Sequence, residues 1–132
     1  MRRRLRPLAM SANVLLVEEH TDVRTALRDW LRSVVSPLSL TEARTMEEAL
    51  RLAEQAKLDF ALINVELPGE NGIEAARALR RRHQDLPLVL MSVQDSEILR
   101  IAAIEAGANA FVPKRDLTMS LLPIVQRLLQ RN

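Results

Sequence analysis

The sequence predicts an α/β protein, with a parallel sheet covered by helices on both faces, and three observations carry that prediction. Short apolar runs alternate with amphipathic stretches of helical period, five times over 132 residues. The runs are apolar almost throughout, as strands buried on both faces must be. No repeat, low-complexity segment or long linker interrupts the alternation, so it belongs to one domain with a core of its own.

NVLLVEEH (Asn13–His20) is the first run, closed by polar residues. Thr21 is the predicted N-cap of a helix on which Val23, Leu27, Trp30, Leu31 and Val34 recur at helical spacing. LSLTEA (Leu38–Ala43) alternates and reads as the second strand. TMEE offers a capping box, Thr45 with Glu48, ahead of Ala49, Leu50, Ala53 and Ala56. FALINV (Phe60–Val65) is the third strand, and Gly72 precedes a helix through Ile73, Ala76 and Leu79. That helix ends in Arg80-Arg81-Arg82, cations that complement its dipole. PLVLMSV (Pro87–Val93) is the fourth strand, and the helix Ile98–Ala106 is stopped by Gly107. AFVP is the fifth strand, and Thr118 is the predicted cap of a last helix with Leu121, Leu122, Val125, Leu128 and Leu129 inward.

Composition removes several kinds of chemistry. With no cysteine there is no disulfide, thiolate metal site or cysteine nucleophile. Phe60, Phe111 and Trp30 are the only aromatics, too few for a base-stacking platform. His20 and His83 lack zinc-ligand spacing. The formal charge of +2 comes from Arg2, Arg3, Arg4 and Arg6; without them 15 basic groups face 17 acidic ones. Residues 1–11 therefore read as a disordered basic extension, within which Met10 is a second candidate start, and 12–132 as the folded domain. No run reaches the length of a membrane span or secretory core, so a cytoplasmic location without membrane contact is expected, and nucleic-acid binding is not.

In open parallel sheets, ligands bind beyond the carboxyl ends of the strands. Those ends carry Glu18-Glu19, Asn64-Val65-Glu66, Ser92 and Lys114. Carboxylate oxygens suit Mg²⁺, and a hydroxyl with an ammonium suits the oxygens of a phosphoryl group. Such a set requires a carboxylate to receive that group. Asn64 stands in its place.

On these residues the chain resembles the receiver domains of two-component response regulators, over essentially all of 13–130. Glu18 and Glu19 match the acidic pair, and FALINVELPGENGIE matches the third strand and its loop, with Pro68, Gly69 and Gly72 in place. Ser92 matches the switch hydroxyl, Phe111 the switch aromatic and Lys114 the invariant lysine. The separations from Glu19 to Asn64, on to Ser92 and on to Lys114 are 45, 28 and 22 residues, those of the family.

The resemblance implies a flavodoxin-like (βα)5 fold, a doubly wound parallel sheet of strand order 2-1-3-4-5 in a three-layer sandwich. It implies that an aspartate at position 64 would accept a phosphoryl group from a histidine kinase, with Mg²⁺ held by the acidic pair and the carbonyl of Glu66. An amide forms no acyl phosphate. The expectation is thus a degenerate, stand-alone pseudo-receiver: not an enzyme, without a cofactor, and binding Mg²⁺ weakly at most. Lys114 is expected to bridge to Glu18 or Glu19. The amide leaves nothing to draw Ser92 inward, which predicts an inactive-like state. Partners are expected to be proteins, among them a histidine kinase, another regulator or a second copy, through the face of the fourth helix, fifth strand and fifth helix. The alternative is an Asn64 variant, or a truncated form, of a phospho-accepting regulator with a DNA-binding output domain.

Overall fold

The computed structural model describes residues 11–130. The basic extension of the sequence reading, with Met10, lies outside them but for Ser11. Five strands, β1 (Ala12–Val17), β2 (Leu38–Ala43), β3 (Phe60–Asn64), β4 (Leu88–Ser92) and β5 (Ala110–Pro113), form one parallel sheet. Their order is β2-β1-β3-β4-β5, with Val14 beside Phe60, Leu62 beside Val89 and Leu90 beside Phe111. Five helices connect them: α1 (Thr21–Val34), α2 (Met46–Gln55), α3 (Gly72–Arg82), α4 (Glu97–Glu105) and α5 (Leu117–Leu129). This is the flavodoxin-like arrangement.

Because neighbouring strand residues point to opposite faces, β1, β3 and β4 feed two separate cores. Leu15, Val17, Ala61, Ile63, Leu88 and Leu90 pack with the small residues Ala49, Ala53, Ala75, Ala76 and Ala103 of α2, α3 and α4. Val14, Leu16, Phe60, Leu62, Val89 and Met91 pack with Leu27 and Leu31 of α1 and Leu121, Val125 and Leu129 of α5. Each fully buried side chain of this size contributes roughly 1.5–3 kcal/mol. Two such layers hold the strand ends, and the site built on them, in fixed positions.

Local details correct the sequence reading at two helix starts. Thr21 is the first residue of α1 rather than its cap; His20 holds the cap position with no side-chain bond. Thr118 lies inside α5, because a 3₁₀ turn at Lys114–Asp116 runs straight into Leu117 and leaves no extended residue to act as cap. The capping box closes on one side: the Thr45 hydroxyl accepts from Glu48 N–H at 3.1 Å, but the Glu48 carboxylate accepts from Arg44 N–H at 2.9 Å. Gly72 begins α3, capped by Asn71, whose Oδ1 accepts from Ile73 N–H at 2.8 Å.

Candidate functional site

The first strand ends at Val17, and the chain then turns so that Glu18 points in and Glu19 points out. Glu18 is 0% exposed, whereas Glu19 is on the surface. The turn is clamped by Arg24, whose guanidinium donates to the carbonyls of Glu18 (2.9 Å) and Glu19 (3.2 Å) and pairs with Glu42 at 2.9 Å. Arg24 is itself 9% exposed, and the sequence reading did not single it out. Its only signal there was a basic residue one helical turn into the segment after an acidic pair.

A buried carboxylate must be neutralised or bonded. Lys114, 96 residues away, places its Nζ 2.8 Å from Glu18 Oε1 and does not go to Glu19. Glu18 Oε2 accepts from His20 N–H at 3.1 Å, with His20 Nδ1 at 3.3 Å. Burial pushes the Glu18 carboxyl up, but the Lys114 ammonium and the His20 donors outweigh it and hold it below its ordinary value of 4.5.

Asn64, also 0% exposed, completes this cluster. Its Nδ2 donates to Glu66 O at 2.6 Å and to Glu18 Oε2 at 3.3 Å. Both partners are acceptors only, which fixes the amide nitrogen on that side. The two oxygens that a receiver would offer a divalent cation thus face N–H groups, and Glu19 lies outside. Among the described residues no three His, Asp or Glu side chains converge as metal ligands.

The loop after Asn64 is pressed against α3. A Cβ on Gly72 would sit 2.0 Å from the Asn64 carbonyl oxygen, so only glycine permits this approach, and Gly72 N–H donates to Val65 O at 2.8 Å. Glu66-Leu67 pairs with Glu70-Asn71 in a two-residue antiparallel ladder. Pro68 and Gly69 make its exposed tip, Gly69 in the left-handed region at φ 64°.

That ladder turns the Glu66 side chain across to the end of β4. Ser92 Oγ–H donates to Glu66 Oε2 at 2.5 Å, and Val93 N–H donates to Glu66 Oε1 at 3.1 Å. Ser92 Oγ in turn accepts from Gln94 N–H at 3.0 Å. Ser92 is 0% exposed. The Ser92 hydroxyl is thus bonded to the Glu66 carboxylate rather than to the side chain at position 64. The sequence places Glu66 in the acidic pocket beside Glu18 and Glu19, and does not pair its carboxylate with Ser92. Phe111 is also buried, with the Arg100 guanidinium 5.2 Å above its ring and donating to its carbonyl at 3.3 Å.

An inward acidic residue, a strand-end side chain at position 64, a switch hydroxyl and a lysine, all at the carboxyl edge of this sheet, define a receiver-type site. The family described as the response regulator receiver domain matches residues 14–125, and the chain belongs to it. The response regulator MprA of Mycolicibacterium vanbaalenii is 32% identical over 122 residues, 92% of this chain and 52% of that protein. The cyclic di-GMP phosphodiesterase response regulator RpfG of Xanthomonas campestris pv. campestris is 32% identical over 107 residues, 80% of this chain and 28% of its own length. The chain thus spans about half, or less, of the curated relatives it matches. Among solved structures, a two-component response regulator of the LuxR family from Aurantimonas sp. SI85-9A1 superposes with a TM-score of 0.83. It is 27% identical, with 91% of this chain and 86% of that one covered. Among the described residues no helix is long and apolar enough to cross a membrane.

Proposed function

We propose that this receiver is a pseudo-receiver, a protein-interaction module in signal transduction that works without phosphoryl transfer to position 64. The observation that carries this reading is the Asn64 amide, buried and donating to both Glu18 and Glu66 O, where a phospho-accepting site needs a free carboxylate oxygen. The neighbours are adapted to the amide. Lys114 is committed to Glu18 at 2.8 Å, and cation binding would first have to displace both the amide and the ammonium. Mg²⁺ binding is weak at most on this reading.

The surface offered to a partner is the face of α4, β5 and α5. Ile98, Ile101 and Ile104 recur along the outward side of α4 and are 80%, 51% and 50% exposed. Large apolar groups aligned in this way are a recognisable interaction feature. A protein partner, whether a kinase, another regulator or a second copy, would bury them.

Intact-mass measurement after incubation with Mg²⁺ and acetyl phosphate tests the reading. The unaltered chain is expected to gain no phosphoryl group, and an adduct on it would overturn the proposal. Asn64→Asp, run beside it, shows by its adduct whether the rest of the pocket still supports the transfer.

A further inference from the structure

A second charged cluster gathers where α1, the end of β2 and the start of α2 meet. Arg24, Arg28, Glu42, Arg44 and Glu48 line a cavity of about 210 Å³. Three guanidiniums face two carboxylates there, a surplus of one positive charge. Both carboxylates are already committed. Glu42 Oε2 accepts from Arg28 at 3.0 Å, its Oε1 lies 2.9 Å from Arg24 Nε, and Glu48 Oε1 accepts from Arg44 N–H at 2.9 Å. The guanidiniums are not. Arg24 is 9% exposed, and its Nη1 is taken by the Glu18 and Glu19 carbonyls, which leaves Nη2 without a bond among the described residues. The exposed Arg44 guanidinium has no hydrogen bond or ion pair among them at all. A volume below the roughly 300–1,000 Å³ of pockets for drug-sized ligands admits a head group rather than a whole nucleotide. One unbalanced positive charge suits a monoanion, and a planar carboxylate matches a guanidinium fork with two parallel bonds.

We propose that this cavity is a carboxylate-binding site, with Arg44 as the recognising fork and Arg24 and Arg28 as its cationic wall. The ligand class is a monocarboxylate, carried either by a small free acid or by an Asp or Glu side chain of a protein partner. Glu42 and Glu48 set the selectivity. With them in place a monoanion brings the cluster to neutrality, whereas a phosphate dianion brings it to a net negative charge. Occupancy reaches the receiver-type site through Arg24, because the same guanidinium clamps the turn that directs Glu18 inward. The site does not depend on whether position 64 accepts phosphate; it is built from other side chains and has its own readout.

Sodium acetate, exchanged for sodium chloride at constant ionic strength, tests the site by NMR on the isotope-labelled full chain. The Arg44 and Glu48 amide signals and the Arg24 Nε–H signal are expected to shift in a saturable way. The dissociation constant is expected on the order of 1–10 mM, as a single charge-assisted fork allows. Arg44→Gln breaks no side-chain bond among the described residues, so its melting temperature is expected to be unchanged while acetate binds about tenfold more weakly or worse. Arg44→Lys keeps the charge without the fork and is expected to fall between the two. Acetate shifts that stay linear, or that saturate equally in Arg44→Gln, overturn the site. Sodium phosphate is expected to bind more weakly than acetate, and the reverse order overturns the carboxylate assignment. N-acetylglutamic acid α-amide presents the same group between two peptide bonds. Tighter binding than acetate assigns the ligand to a protein partner's side chain, and otherwise to a free acid.

Discussion

Glu18 and Glu66 are two carboxylates at the same edge of one sheet, and they are held in opposite ways. Glu18 is wholly buried, with a lysine ammonium at 2.8 Å and two further donors from His20 and Asn64. Glu66 is half-buried, and its carboxylate bonds among the described residues are to a hydroxyl and a backbone N–H, both neutral. A charge removed from water must be neutralised where it stands, and that makes Glu18 a brace. A carboxylate with access to solvent can be held by neutral donors alone, which makes Glu66 a lighter tie.

The comparison breaks most visibly at Lys114. Lys114→Met leaves Glu18 buried without its cation and is expected to cost about 3–5 kcal/mol, read by urea denaturation near neutral pH. A loss below about 1 kcal/mol would show that Glu18 is not the brace described.

Acid sharpens the same point. Because the folded Glu18 carboxyl is held below its ordinary value of 4.5, its stabilising contribution is complete above that value. It is lost as pH falls through the lowered folded value. Melting temperatures taken from about pH 6 down to about pH 3 should therefore fall in the unaltered protein. In Lys114→Met, protonation relieves the unpaired charge, so the deficit of the variant should narrow over the same window. A constant deficit would contradict the pairing.

The smallest expected effect is at Glu66. Truncation to alanine should cost roughly 1–3 kcal/mol in the same denaturation experiment, since it leaves the buried Ser92 hydroxyl without its acceptor but strands no buried charge. A loss as large as that at Lys114 would make Glu66 a second brace and remove the distinction.

Much of this was legible in the chain. The alternation of two periods is a local property, and it named five strands and five helices in order, with boundaries off by at most three residues. The helix starts at Thr21 and Thr118 were misread because capping depends on the backbone angle of the preceding residue, which a neighbouring turn decides. Glu18, Asn64, Ser92 and Lys114 were legible because spacing along a parallel sheet sets which residues meet at its carboxyl edge. Arg24 was missed, since a buried arginine on an amphipathic helix differs from an exposed one only in what it packs against.

What the residue order settled without help was the α/β fold class, the edge where chemistry gathers and the absence of a carboxylate at position 64, because each follows from residue identity and short-range period. What only the packed chain decided was side-chain direction. Glu18 and Glu19 are adjacent and identical in chemistry, yet the Arg24 clamp and the Lys114 ammonium turn one into the core and leave the other in water. The Glu66 side chain has three rotatable bonds and its carboxylate has no partner nearby in sequence; it found Ser92 and Val93 because the ladder behind Gly69 aimed it there. Apart from the Arg24 clamp, six and five residues from its partners, such choices rest on contacts 26 to 96 residues apart, which local pattern does not contain.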